Sequence, residues 1–187
     1  MSAGSQPSRL VFELLARLRT RLGLVFGVAA FWFAQPTLRS IAYGAAIAAL
    51  GEALRIWAAG HLHKSREVTA SGPYQWFSHP LYLGSSVLGI GLAVASANLV
   101  TTALIVIYLA ATIAAAVRTE EAFLRRQFGD AYGRYKSGHA AAPPRPFSLE
   151  RAIANGEHRT LAGIVATVLL LVLKATYNGL FWRVTGR

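Results

Sequence analysis

Residues 80–117, PLYLGSSVLGIGLAVASANLVTTALIVIYLAATIAAAV, run for 38 positions without an Asp, Glu, Lys or Arg. A bilayer-crossing helix takes ~20 largely apolar residues, so this stretch is long enough for two. Between 97 and 102 there is room only for a tight turn. The stretch therefore predicts a helical hairpin, 80–98 then 99–117, whose two outer ends return to the same side of a membrane.

Outward from the hairpin, three further apolar runs have spanning length: 18–34, closed by Gln35-Pro36, then 40–60, and 160–181. The reading is an all-α polytopic membrane protein of about five transmembrane helices, folded as one membrane-embedded domain over 1–187. Composition agrees. Hydrophobic residues make up 54% of the chain and charged residues only 14%, where a soluble domain carries about 25% charged residues. The run from Leu22 to Ala34 has no small-residue cleavage site and the next run follows at once, so it reads as a retained span. Lys174 interrupts the last run at a cost of ~3 kcal/mol unless it snorkels or pairs. That helix is expected to sit toward the outer surface, with Lys174 in the head groups and Tyr177, Phe181 and Trp182 in an interfacial belt. Residues 137–158 are Pro/Ala-rich, then briefly amphipathic from Ser148 to Ala154, and read as a surface connector.

The net charge of +11 does not form one solvated basic face. The cations cluster between apolar runs, which speaks for membrane lipids and against nucleic acid. Fourteen Lys or Arg flank the spans on one side and three on the other, Arg39, Arg183 and Arg187. By the positive-inside rule the N-terminus and both long loops are cytoplasmic. Ala/Arg-rich usage points to a bacterial inner membrane. The absence of cysteine excludes disulfides, thiolate metal sites and a cysteine nucleophile.

Two motifs fall on that cytoplasmic side. Gly72-Pro73-Tyr74 leads into Ser78-His79-Pro80-Leu81-Tyr82-Leu83-Gly84. Proline suits the first turn of a helix, so His79 stands at the start of the third span, where backbone N–H groups favour an anion. Tyr82 is placed to stack or donate, unless the segment is only a turn with an interfacial aromatic. The second motif is Glu120-Glu121 followed by Phe128-Gly129-Asp130-Ala131-Tyr132-Gly133-Arg134-Tyr135. Adjacent carboxylates repel and suit a cationic ligand or ribose hydroxyls, or else balance Arg118, Arg125 and Arg126 at helical spacing. Glu52 and Arg55 share a helix face at membrane depth: either a neutral pair or a site where Arg55 grips an acidic group in a bidentate fork. His61 and His63 are too few for a metal site and read as lipid-facing. Gly84, Gly89 and Gly91 speak for close helix packing.

Taken together, Gly-Pro-Tyr, His-Pro-x-Tyr-x-Gly, Glu-Glu and Phe-Gly-x-x-Tyr-x-x-Tyr resemble the isoprenylcysteine carboxyl methyltransferase family and the related phospholipid methyltransferases. The similarity runs from about Gly51 to Tyr135 and includes Arg55-Ile56-Trp57-Ala58-Ala59-Gly60-His61-Leu62. It implies a membrane enzyme using S-adenosylmethionine. His79, Pro80, Tyr82, Gly84, Glu120 and Glu121 are then the cofactor-binding residues, and Glu121 and Arg55 the catalytic ones, with no metal. The implied acceptor is lipophilic or lipid-linked, bearing a carboxylate or an amine. Family members often carry arginine before His-Pro. Here it is Ser78, and Arg55 or Arg66 is expected to stand in. The family's proline after Tyr-x-x-Tyr is delayed to Pro143-Pro144.

Two other classes compete. Sterol-type membrane reductases also carry a His-Pro-x-Tyr-x-Gly-like segment and use NADPH, but the Glu-Glu pair favours methyl transfer. A non-catalytic lipid-binding subunit would tolerate loss of both glutamates.

Overall fold

The computed structural model describes residues 23–64, 67–138 and 145–184, and every regular element among them is helical. In chain order these are α1 (Gly23–Phe33), α2 (Leu38–His61), a 3-10 turn (Gly72–Gln75), α3 (Pro80–Ser96), α4 (Leu99–Phe128), α5 (Asp130–Lys136), α6 (Leu149–Ala154) and α7 (Glu157–Val184). Three have the length and apolarity to cross a membrane: α2, α4 and the 157–179 part of α7. Two shorter apolar helices, α1 and α3, accompany them. The expected first span began at 18, and residues 18–22 lie outside the described ones. α3 has 17 residues, ~26 Å at 1.5 Å per residue, a little short of a ~30 Å hydrocarbon core.

Local sequence explains these boundaries. Thr37 and Ser40 form a reciprocal capping box that starts α2 just after Pro36. α3 opens on Pro80 with His79 as its cap residue, as the sequence predicts. It stops at 96 rather than 98 because Ala97 turns left-handed, φ 47°. Asn98 then caps α4 by accepting from the Thr101 N–H at 3.1 Å. The hairpin is therefore turned by two residues. α4 continues without a break past 117 to Phe128.

α2 and α3 meet along a seam of small residues. Gly44 faces the Gly91 carbonyl and Ala95, Gly51 faces the Gly84 carbonyl and Leu88, and Ala48 and Ala95 are fully buried. Glycine and alanine let two backbones approach until dispersion and backbone dipoles hold them, the mode favoured where lipid competes for larger apolar side chains. Leu50, Ile90, Ile107 and Leu173 point outward and are exposed, as expected of helices apolar all round.

At one end of the bundle the Gln35 N–H donates to the Ser96 carbonyl at 2.8 Å, and Ser40 Oγ donates to the Ala95 carbonyl at 3.0 Å. Lys174 belongs to this end. Its ammonium donates to the Phe31 and Trp32 carbonyls at the end of α1, so the partner that a cation in an apolar run needs is backbone. Unpaired carbonyls at a helix C-terminus draw in a cation. Of the expected aromatic belt, Tyr177 is exposed, and the Phe181 and Trp182 side chains lie outside the described ones.

At the opposite end the amphipathic stretch from Ser148 forms a short helix clamped onto the end of α2. The Ser148 N–H donates to the Gly60 carbonyl at 3.2 Å, and Arg151 donates to the same carbonyl. Asn155 donates to the Ala59 and Leu62 carbonyls at 2.9 and 3.1 Å. Together they satisfy the carbonyls that a helix terminus leaves open. His61 is correspondingly buried, its ring 3.4 Å from Ser71 Oγ and beside Phe147, rather than lipid-facing.

Candidate functional site

Both sequence motifs lie at the end of the bundle that α6 closes. Gly72 has φ 59° and sits so close to the His61 ring that a Cβ would collide with it. This tight passage turns the chain so that Pro73 and Tyr74 are buried. Gly129, at φ 45°, ends α4 and folds α5 back. α5 then packs over the Gly-Pro-Tyr turn: the Tyr135 hydroxyl donates to the Tyr74 carbonyl at 2.9 Å and to that of Phe77 at 3.4 Å. Phe-Gly-x-x-Tyr-x-x-Tyr is thus the device that brings α4 to the start of α3. Tyr135→Phe removes this donor at a cost of ~1 kcal/mol. The expected result is a protein that still folds with a thermal midpoint in detergent lowered by about 3 °C, read by thermal unfolding.

The juxtaposition sets His79 between the two carboxylates. His79 Nε2 lies 3.3 Å from Glu121 Oε1, and Nδ1 lies 3.8 Å from Glu120 Oε2. The Tyr82 ring stands 5.8 Å from that of His79. Lys136, from α5, pairs with Glu121 Oε1 at 2.6 Å, and Arg125 approaches Oε2 at 3.8 Å. Glu121 is therefore ringed by cations, while Glu120 is the more open of the pair. Two polar atoms here are buried without a hydrogen bond among the described residues: His79 Nδ1 and the Tyr132 hydroxyl. Buried polar groups are nearly always paired, so these two atoms carry the hydrogen-bonding capacity that this cluster does not use among the described residues.

Burial is the main reason the neighbouring phenols hold their protons. Tyr132 is pushed up to about 12 by burial and then by the Glu121 charge. Tyr135 rises to about 12 by burial, then through Tyr132 and Glu120. Tyr74 is raised further still by burial, then by Glu120, Tyr135, Tyr82 and Glu157. All three remain neutral hydrogen-bond donors at physiological pH.

Gly84 and Arg55 lie beside this group rather than in it. Gly84 packs on the Arg55 side chain and the Gly51 carbonyl. Arg55 is turned to Glu157 of α7: Nε donates to Oε2 at 3.1 Å and Nη2 to Oε1 at 3.0 Å. Its Nη1 donates to Ser85, and Nη2 also reaches Thr160 at 3.3 Å. The bidentate fork expected of Arg55 is present, but the protein's own glutamate fills it. Of the two arginines expected to replace the one absent at Ser78, Arg66 lies outside the described residues and Arg55 is held by Glu157. Lys136 provides the cation at Glu121 instead. Pro143 and Pro144 also lie outside the described residues.

Sequence reasoning gave no role to Lys136, Tyr132, Tyr135 or Glu157. The tyrosines stood inside a motif already quoted. Glu157 carried one signal: an acid at the start of an apolar run, with an arginine inside another. Among the described residues no three His, Asp or Glu side chains gather closely enough to hold a metal.

Apolar helices of spanning length, with a charged cluster at one end, define a helical membrane protein. The sequence profile of the phospholipid methyltransferases matches residues 22–131, and the chain belongs to that family of membrane methyltransferases, the group that its motifs resemble. Among curated proteins, the nickel-cobalt-cadmium resistance protein NccN of Alcaligenes xylosoxydans xylosoxydans is 30% identical over 99 residues, 52% of this chain and 45% of that one. The cobalt-zinc-cadmium resistance protein CzcN of Cupriavidus metallidurans is 35% identical over 88 residues, 46% of this chain and 39% of that one. The chain spans less than half the length of these curated relatives. No solved structure matches.

Proposed function

We propose that this protein is an integral membrane methyltransferase that takes its methyl group from S-adenosylmethionine and delivers it to a lipophilic acceptor. The observation that carries this reading is the meeting of His79, Glu120, Glu121 and Tyr132 across 41 to 53 positions of sequence, with His79 Nδ1 and the Tyr132 hydroxyl buried and short of a well-formed hydrogen bond among the described residues. These groups fit the cofactor. Glu120 suits its ribose hydroxyls or cationic charge, the two orphaned atoms suit its polar edges, and N–H groups at the start of α3 suit its carboxylate. When bound, the cofactor supplies an electrophilic methyl on a sulfonium.

The chain's own residues do the rest. Buried Pro73, Tyr74 and Tyr132 exclude water, and Tyr135 locks the covering turn in place. Transfer to a carboxylate would neutralise charge, which exclusion of water favours, and alignment at near-attack distance supplies much of the rate for either acceptor. Glu121 holds His79 on one side and Lys136 on the other. The Lys136 hydrogen bond, with His79 beside it, holds the Glu121 carboxyl below the usual range, so it stays ionised to take the proton that an amine acceptor must lose, though as a weak base. In this reading the site faces the cytoplasm of a bacterial inner membrane, five helices cross the bilayer, and the acceptor arrives laterally from the lipid.

Calorimetric titration of S-adenosylmethionine into folded protein in detergent tests the reading. The wild type binds, and Glu120→Gln/Glu121→Gln loses binding at least tenfold. A folded wild type that ignores S-adenosylmethionine overturns the proposal, and preference for NADPH replaces it with a reductase.

A further inference from the structure

α6 clasps α2 with one side only. Ala152 is buried, and Ser148, Arg151 and Asn155 are tied to carbonyls at the end of α2. The other side is apolar and open. Leu149 is 60% exposed, Ile153 50%, and Phe147, just before the helix, 46%. Leu149 and Ile153 are four positions apart and so share a face. Only Asn155 and Gly156 separate α6 from α7, whose 157–179 part has the length and apolarity to span. Leu161 and Val165, in the first turns of α7, are exposed as well. Open apolar surface therefore continues along the chain from α6 into the span, and α6 lies against the span's end.

The charges at this end complement an anion. Arg126, Arg134 and Arg159 are exposed and have no carboxylate partner among the described residues, whereas Glu67 and Glu157 are taken by Arg145 and Arg55. Arg159 is the one that flanks α6. The His158 ring reaches back to the Ile153 carbonyl at 3.1 Å, which sets the first turn of α7 beside the last residues of α6. Glu150 is the acid that opposes Arg159 from α6 itself.

We propose that α6 is a foot that reads the lipid surface: Phe147, Leu149 and Ile153 sink into the acyl boundary, and Arg159 takes the phosphate of an anionic phospholipid. A helix with one apolar face and flanking cations lies in the interfacial plane, held by buried apolar area and by attraction to anionic lipid. Guanidinium meets phosphate as a bidentate fork. A zwitterionic head group brings its own cation to that phosphate and gives Arg159 less. The contact also has a route into the bundle. α6 holds the end of α2, which carries Arg55, and leads straight into Glu157, which grips Arg55. Lipid under α6 steadies both partners of that fork. α6 and Glu157 lie beyond residue 131, where the family profile ends, so the foot is built by the part of the chain outside the matched core.

Two measurements test this. The chain has no cysteine, so Ile153→Cys gives one labelling site. Bimane at that site, in nanodiscs of phosphatidylcholine and phosphatidylglycerol, is expected to be quenched at least twofold more by brominated acyl chains than by aqueous iodide. Stronger quenching by iodide overturns the proposal, because α6 then faces water. Shielding from both quenchers also overturns it, because a second copy or another protein then covers the face. Separately, short-chain phosphatidylglycerol, short-chain phosphatidylcholine and inorganic phosphate are titrated into detergent-purified wild type, Arg159→Gln and Arg159→Lys, with thermal midpoint as the readout. Phosphatidylglycerol is expected to stabilise the wild type at concentrations at least tenfold below those phosphatidylcholine needs. Arg159→Gln loses that preference, and Arg159→Lys keeps part of it. Equal action of the two lipids, an Arg159→Gln response like wild type, or inorganic phosphate acting as well as phosphatidylglycerol overturns the anionic-lipid site. Arg159 is exposed, so its variants are expected to fold, and the quenching measurement leaves it intact in any case.

Discussion

Arg55→Ala is expected to be the most damaging single substitution in the bundle. It strands two carboxylates, Glu52 at 3% and Glu157 at 7% side-chain exposure, with no cation near either. Removing one partner of a buried ion pair costs about 3–5 kcal/mol, because the remaining charge is left unsolvated. For a chain of this length that lowers the thermal midpoint by about 10 °C. The order of effects is diagnostic. Glu157→Gln hurts less, since Arg55 can turn to Glu52 3.4 Å away. Replacing all three together, as Glu52→Gln, Arg55→Met and Glu157→Leu, recovers much of the loss, because no net charge then remains buried. Thermal unfolding in detergent, followed by tryptophan fluorescence, reads all three. An Arg55→Ala midpoint equal to wild type would mean the cluster is hydrated and contributes little.

This cluster also shows where sequence reading stops. The charge-free run 80–117 announced the α3–α4 hairpin, because only helices can satisfy their backbone inside lipid. His79 and Glu121, 42 positions apart, were legible as neighbours only because each sat in a recognisable motif on the same predicted side. Arg55 and Glu157 are 102 positions apart and share no motif. Sequence offered Glu52, one turn away, as the partner of Arg55, and could not reveal that Glu157 takes its bidentate face. The same gap explains Lys174: a cation in an apolar run must snorkel or pair, and sequence alone could not reveal that α1 ends beside it. Lys136 escaped notice because its approach to Glu121 depends on the backward fold at Gly129, set by one backbone angle.

Under the proposed reading the two charged clusters would divide the labour of the site. His79, Glu120, Glu121 and Lys136 lie where α4 and α5 extend beyond the apolar bundle, within reach of a water-soluble ligand. Glu52, Arg55 and Glu157 lie between helices, where a lipid-borne group can arrive without leaving the bilayer. Tyr74 and Tyr82 stand by the boundary, buried or half-buried. A methyl donor that is polar and an acceptor that is lipophilic need such a pair of compartments meeting at one wall.

That wall depends on how closely α2 and α3 approach, which Gly44→Ala tests. In an exposed helix this change stabilises by up to about 1 kcal/mol, because alanine loses less backbone entropy. At Gly44 the new Cβ would meet the Gly91 carbonyl, the Ala95 N at 2.5 Å and the Ala95 Cβ at 2.6 Å. Two of those atoms are backbone of a packed helix and cannot swing aside. Overpacking of this kind costs about 1–3 kcal/mol, so the clash outweighs the propensity gain and the midpoint falls. Gly44→Leu should largely abolish the folded state. Gly163, in α7, has nothing within 4 Å of its would-be Cβ, so Gly163→Ala should leave the midpoint unchanged or raise it. Opposite signs for one substitution at two helical glycines isolate the seam as the cause. Moving α2 outward also carries Arg55 away from Ser85 and Glu157, while leaving the Glu121–His79 contact, which α2 does not form, in place. A Gly44→Ala protein as stable as wild type would show that the helices lie farther apart than the seam requires.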